Sequence, residues 1–388
     1  MPMIGKELSR DKELISLYFH IPFCTKKCHY CHFYVIPDKT PFHTLLMEGF
    51  TLDLDYWTPH FKNKELASIY FGGGTPSLIG ADAIATILEM VNQIIPFDKN
   101  SIEITLEANP ETLTYETMHN YANAGINRIS IGIQSLDDSL LDKLGRTHHA
   151  HTAIEAVNTT AKAGISNISV DLMYDIPGQT LSSWHHTLKE ANQLPITHLS
   201  LYNLTIEPNT VFFKYRESLQ KELPDAESST EMYKTAVSTL AESGLIQYEI
   251  SAFARNQCHS IHNTGYWTAR PFIGIGPSAF SYWEGKRFRS IANIQRYVQK
   301  LRNRESPTDF TEQLDTKSSQ CELLAINLRL LNGVNLKEFE ESHGRLEAIT
   351  HTTLKRLEAE GFLKRKNDTI TLTEQGILFY DTVAVEII

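Results

Sequence analysis

LISLYFHIPFCTKKCHYC, residues 14–31, joins two patterns with no linker between them. LISLYFHI (14–21) is rich in aliphatic and aromatic residues and reads as a β-strand. C-x3-C-x2-C then places Cys24, Cys28 and Cys31 in eight residues, and Phe33 stands where a fourth cysteine would complete the run. A strand that empties straight into a thiol loop puts that loop at the strand's C-terminal end, where parallel α/β folds carry their chemistry.

Working outward, five more strand candidates follow: LASIYFGG (66–73), SIEITLEAN (101–109), NRISIGIQS (127–135), NISVDLMY (167–174) and THLSLYNLTI (197–206). Amphipathic helical stretches separate most of them, among them DAIATILEMVNQI, YETMHNYANAG, HTAIEAVNTTAKAG and SWHHTLKEANQL. Gly125 and Gly164 stand where helix C-termini expect glycine. Strand–helix alternation of this kind predicts right-handed βαβ units and a parallel sheet, closed into all or most of a (β/α) barrel. The expected class is α/β, with a barrel core over 1–255. An irregular connecting region follows over 256–310, and residues 311–388 read as a winged-helix-like domain of helices and a short hairpin.

The chain has 388 residues and a formal net charge of −10, with no long Lys/Arg block. That argues against a role resting on nucleic-acid phosphates, winged helix notwithstanding. The charged N-terminus argues against a secretory leader, and no apolar run approaches a membrane span, so a cytoplasmic location is expected. Five cysteines, three of them crowded together, suggest metal binding over disulfides. Zinc would need a fourth ligand from His29, His32 or Cys258. A [4Fe–4S] cluster held by three thiolates would instead leave one iron open.

FHIPFCTKKCHYC resembles the signature of the radical S-adenosylmethionine (SAM) enzymes. More narrowly, YFGGGTPS, EANPET, RISIGIQSLDDSLLDKLGRTHH, DLMYDIPGQT, LSLYNLTIEPNT, YEISAFA, HNTGYW and FIGIGPSAFSY follow one another as in the oxygen-independent coproporphyrinogen III oxidase (HemN/HemW) family. The resemblance implies a [4Fe–4S] cluster on Cys24, Cys28 and Cys31 whose open iron binds SAM. One electron from the cluster then splits SAM into methionine and a 5′-deoxyadenosyl radical. It implies cofactor contacts from Tyr18, Tyr30, Gly73, Gly74, Thr75, Glu107, Gln134, Arg146 and Asp171, with Arg146 on the methionine carboxylate and Asp171 on ribose hydroxyls.

Within the family the resemblance is nearer to the haem chaperones than to the oxidases. HemN-type oxidases carry a further cysteine at the position of Phe33 and a longer segment ahead of the thiol loop, whereas HNTGYW matches the chaperones' HNxxYW motif. On that resemblance His262 is an axial haem ligand beside Tyr266 and Trp267. The implied partners are haem or porphyrin, haem-accepting proteins and an electron donor such as flavodoxin or ferredoxin. A homodimer and peripheral membrane contact through clients are compatible with it; nucleic acid is not implied. The alternative is decarboxylation of coproporphyrinogen III to protoporphyrinogen IX. Asp175, where relatives usually have Gly, and His32, where many have Asp, depart from the family pattern.

Overall fold

The computed structural model describes residues 12–388. Residues 1–11, which carry part of the argument about a leader and begin the expected 1–255 unit, lie outside the described residues. Six strands run parallel in chain order: β1 (Glu13–Ile21), β2 (Lys64–Gly73), β3 (Glu103–Ala108), β4 (Arg128–Gln134), β5 (Asn167–Tyr174) and β6 (His198–Asn203). Helices α1 (Thr40–Trp57), α2 (Ala81–Ile94), α3 (Tyr115–Ala124), α4 (Asp138–Leu144), α5 (Ala150–Lys162) and α6 (Leu181–Ala191) intervene, and α7 (Ala226–Glu242) follows β6. The strand positions agree with the sequence reading to within a few residues. So do α2, α3, α5 and α6; Gly125 closes α3 at φ +117° and Gly164 follows α5 at φ +97°.

The barrel does not close. At one edge β6 pairs antiparallel with β8 (Ala252–Ala254), which pairs with β7 (Ile246–Glu249). At the other edge β1 pairs parallel with β9 (Phe272–Ile275), and antiparallel strands β10 (Phe280–Trp283), β11 (Lys286–Ser290) and β12 (Thr308–Gln313) continue outward. The result is one twelve-stranded sheet among the described residues. The stretch expected to be irregular thus carries four strands and helices α8 (Ile261–Trp267) and α9 (Ile294–Arg302). Its strands have four to six residues, too short to show a period against the interspersed Gly and Pro.

The alternation along each parallel strand explains the layers. Ile15, Leu17, Phe19 and Ile21 on β1, Ile69 and Phe71 on β2, and Ile104 and Leu106 on β3 face one way and join the helices in the main core. The other face is polar although buried: Ser16, Ser68, Glu103, Thr105, Arg128, Ser130, Ser169, His198 and Ser200. A barrel of this size usually fills its interior with branched apolar side chains. Here the interior is a hydrogen-bonded network, in which Ser68 donates to Ser16 at 2.9 Å and Ser169 meets His198 at 2.8 Å.

The remaining chain builds a separate core from Leu324, Leu328, Phe339, Leu354, Leu357, Ile370 and Val383. Helices α10 (Thr316–Asn327), α11 (Leu336–His343), α12 (Ala348–Ala359) and α13 (Tyr380–Ile387) enclose the hairpin of Leu363–Lys366 and Thr369–Leu372. α11 and α13 join the two helices and hairpin read from sequence. No described helix is long and apolar enough to cross a membrane.

Candidate functional site

Cys24, Cys28 and Cys31 lie, half-buried, on the loop leaving β1 at the C-terminal mouth of the barrel. They line a cavity of about 400 Å³ together with Tyr30, Gly73, Gly74, Thr75, Glu107, Gln134, Arg146 and Asp171. Eleven sequence-predicted residues therefore converge although they come from five strands and their loops.

Each is placed by a local physical cause. Gly74 cannot carry a side chain, because a Cβ there would meet the Phe23 carbonyl oxygen at 2.5 Å. Gly73 sits at φ +117° with the His20 ring 2.8 Å from where a Cβ would be. The backbone of β2 therefore ends flush against the thiol loop, which is what close approach to a ligand requires. Gln134 ends β4 at φ +62°, where the ladder to β5 shifts register. Asp175 is also left-handed, at φ +62°, and its carboxylate accepts from Asn203 and Ser229 at 2.6 Å each. Where glycine would be free, this chain pins the turn with side-chain bonds.

Charge in the cavity is arranged in two groups. Glu107 accepts from the Tyr70 hydroxyl at 2.7 Å and the Gly73 amide at 3.2 Å, and burial raises its pKa to about 7. Burial likewise raises the Asp171 carboxyl, to which Ser130 donates at 3.3 Å. On the thiol side, Arg146 donates through Nη2 to Asn109 Oδ1 at 2.8 Å and to the Gly132 carbonyl at 2.6 Å. Its Nη1 lies 3.5 Å from the Cys28 sulfur. Burial pushes the Cys24 thiol up to about 11, its sulfur 3.6 Å from Thr75 Oγ1.

These residues suit a resident iron–sulfur cluster. Thiols whose pKa is raised become ligands when a metal displaces the proton, and soft thiolates suit iron–sulfur clusters. Three thiols on one wall of a cavity of about 400 Å³ fit a three-thiolate cluster with room for an organic ligand beside it.

Two predicted residues lie elsewhere. Tyr18 lines a second cavity, of about 560 Å³, with His20, Tyr34, Tyr266 and Trp267. His262 is 1% exposed in α8, which plugs the barrel interior: the Ile261 and His262 amides both donate to Glu103, at 2.9 Å. Ser68 gives its one proton to Ser16, so His262 Nδ1–H donates to Ser68 (2.9 Å) and Nε2 accepts from the Tyr266 hydroxyl (2.8 Å). Both nitrogens hold protein hydrogen bonds in this structure. Burial lowers this imidazole's pKa to about 3, so it remains neutral. Trp267 in the same motif packs under Arg329 at 4.3 Å. In this structure the motif ties the barrel to the C-terminal helices.

Sequence reading missed Asn109, Tyr70 and Ser130, which orient Arg146, Glu107 and Asp171. It also missed the second cavity. One signal for that cavity was present: the ladder pairs Phe280 with Arg289 and Tyr282 with Arg287, so alternate residues of FSYW and KRFRS share one aromatic, cationic face.

A partial parallel barrel whose first strand delivers three thiols to a cavity at its mouth is the architecture of a radical SAM protein. Residues 18–191 match the model of the radical SAM superfamily, and residues 321–379 that of the HemN C-terminal domain. The chain is 33% identical over 371 residues to the heme chaperone HemW of Bacillus subtilis, covering 95% of this chain and 97% of that protein. It is 33% identical over 375 residues to the heme chaperone HemW of Escherichia coli, with the same coverage. In structure it is similar to the coproporphyrinogen III oxidase HemN of Escherichia coli, with a TM-score of 0.85, 20% identity, and 97% and 90% of the two chains covered. The chain belongs to the HemN/HemW family of radical SAM proteins, whose cofactors are a [4Fe–4S] cluster and SAM.

Proposed function

We propose that this protein is a haem chaperone: it binds a [4Fe–4S] cluster, SAM and haem, and delivers the haem to acceptor proteins. The observation that carries this reading is Phe33. It lies two residues after the third thiol, is 55% exposed, and stands on the wall shared by the cluster cavity and the aromatic cavity. The near full-length likeness to heme chaperones supports it.

In this reading Cys24, Cys28 and Cys31 hold the cluster, which when bound supplies a reducing electron at the cavity. Arg146 takes SAM's carboxylate, the carboxylates of Glu107 and Asp171 accept from its amino and hydroxyl groups, and Tyr30 packs by the adenine. Gly73, Gly74, Thr75 and Gln134 shape the wall. The barrel of 1–255 holds the cofactors, 256–310 links it to the C-terminal unit of 311–388, and the protein works in the cytoplasm. An electron donor such as a flavodoxin or ferredoxin reduces the cluster, and a homodimer and membrane contact through client proteins are compatible with this reading.

The test incubates anaerobically reconstituted protein with coproporphyrinogen III plus SAM and reductant, and separately with haem. Stoichiometric haem binding without protoporphyrinogen IX is expected. Repeated turnover of coproporphyrinogen III overturns the chaperone reading in favour of the oxidase.

A further inference from the structure

The second cavity shares only a wall with the cofactor site, is the more apolar of the two, and holds one arginine with no carboxylate at ion-pair distance. We propose that it seats the haem itself, with His32 as axial ligand to the iron and Arg270 as partner of a propionate. This rests on the haem-carrying reading above.

The shape comes from the sheet. Phe272 pairs with Ser16 on β1 and with Tyr282 on β10, which pairs with Arg287 on β11. The interior face of the barrel therefore continues past its edge as a row of side chains under α10, whose Leu323 and Ile326 form the opposite wall. Tyr266 and Trp267 close one end. About 560 Å³ lies within the usual range of small-molecule sites, roughly 300–1,000 Å³. Six aromatic rings offer flat apolar surface suited to a conjugated macrocycle: Tyr34, Tyr266, Trp267, Phe272, Phe280 and Tyr282.

The charge narrows the ligand further. Of three arginines on the wall, Arg287 is matched by Glu312 and Glu322, and Arg289 by Asp309. Arg270 donates only to neutral oxygens, the Ile261 carbonyl at 3.0 Å and Ser16 Oγ at 3.4 Å, and burial lowers its pKa. Among the described residues no carboxylate lies within ion-pair distance of it. Glu103 acts on it only from beyond ion-pair distance, and a partly desolvated guanidinium with no carboxylate in contact favours a ligand that brings one. Planar, apolar and carboxylate-bearing describes a porphyrin with propionates.

The iron ligand follows by counting lone pairs. Two histidines line this cavity, His20 and His32. His20 Nε2 faces the Tyr34 carbonyl at 3.1 Å and must donate, which leaves Nδ1 to accept from the Tyr18 hydroxyl at 3.1 Å. It has nothing left for iron. His32 is exposed, its ring against Phe33 with centroids 4.7 Å apart. It also lines the cluster cavity, so a haem ligated there sits at the wall that divides cargo from cofactors.

The experiment titrates ferric haem, and in parallel metal-free protoporphyrin IX, into full-length wild type and three variants, read by Soret absorbance and fluorescence quenching. Wild type is expected to bind both one to one. His32→Ala should lose the imidazole-ligated haem spectrum, regain it with added imidazole, and bind metal-free protoporphyrin IX as wild type does. Arg270→Gln should weaken both ligands about ten- to a hundredfold. His262→Gln should keep the ligated spectrum. The assignment is overturned if His32→Ala keeps the wild-type haem spectrum, if it loses both ligands together, if Arg270→Gln binds as wild type, or if His262→Gln alone loses ligation. A wild type that binds neither ligand sinks the chaperone reading, and this proposal with it.

Discussion

Arg146 shows how much of the site a single residue can disclose. Its chemical type is legible in the sequence because LGRTHH resembles a motif of one family, and a guanidinium is the group that takes a carboxylate on two parallel bonds. What the sequence does not show is that one arm of the fork is already spent on Asn109 and the Gly132 carbonyl. Those bonds fix the guanidinium, while Nη1 points toward the thiol side of the cavity. Arg146→Lys, with one point charge and no fork, is therefore expected to lower SAM affinity of the cluster-loaded protein by about tenfold or more. Equilibrium dialysis with labelled SAM measures this, and an unaltered dissociation constant removes Arg146 from the SAM site. The thiols were legible for the same reason as Arg146, since their chemistry is carried by residue type and spacing. Tyr70 and Asn109 were not, because their role exists only once strand register brings them to Glu107 and Arg146.

Among the elements, the six parallel strands were readable from aliphatic runs, and their inside–outside alternation from the serines and charges between them. The helix α1 was not readable, because its stretch mixes Gly49 and Asp53 into an apolar sequence. The structure gives both a reason. A Cβ at Gly49 would stand 2.7 Å from the Tyr297 ring, so α1 and α9 pack closely only with glycine there. Asp53, 1% exposed, accepts from the Tyr297 hydroxyl at 2.5 Å and the Gly276 amide at 3.4 Å. Burial raises its pKa from 3.8 to about 7 despite those bonds. The folded chain thus holds a proton that the unfolded chain gives up at lower pH. Its contribution to stability is full below about pH 4, declines as pH rises toward 7, and is gone above that. Asp53→Asn has no proton to lose there. Urea unfolding at pH 5 and pH 8 should show a larger loss of stability for the wild type than for Asp53→Asn. Equal losses in the two proteins would show that Asp53 is ionised throughout.

At the scale of the whole molecule, the sequence announced a C-terminal unit by its change of texture but gave no sign of how it attaches. Attachment depends on contacts between residues 62 to 83 positions apart, which leave no periodic trace. Arg329 is the centre of it. The guanidinium lies 4.3 Å from the Trp267 ring and 5.1 Å from the Tyr380 ring, and 3.5 Å from Glu249 Oε2. The backbone on either side is stitched to the barrel edge, Ile250 N–H to the Arg329 carbonyl at 3.2 Å and Leu331 N–H to Tyr248 at 3.0 Å. Glu249 is 5% exposed, and burial raises its pKa, so the arginine is what makes its charge tolerable. Arg329→Leu should therefore destabilise by more than the cation–π contact alone, which is worth about 0.5–2 kcal/mol. Leaving a buried carboxylate unpaired brings the expected loss to about 2–3 kcal/mol, discounted for the arginine's partial exposure. Adding Glu249→Gln removes the stranded charge, so the double variant should be more stable than Arg329→Leu alone. Thermal melts read the ranking, and limited proteolysis near residue 314 reads whether the C-terminal unit has loosened from the barrel. A double variant less stable than Arg329→Leu would mean that the Glu249 carboxylate supports this junction through its bonds to the Ser251 and Ile250 amides and not through Arg329.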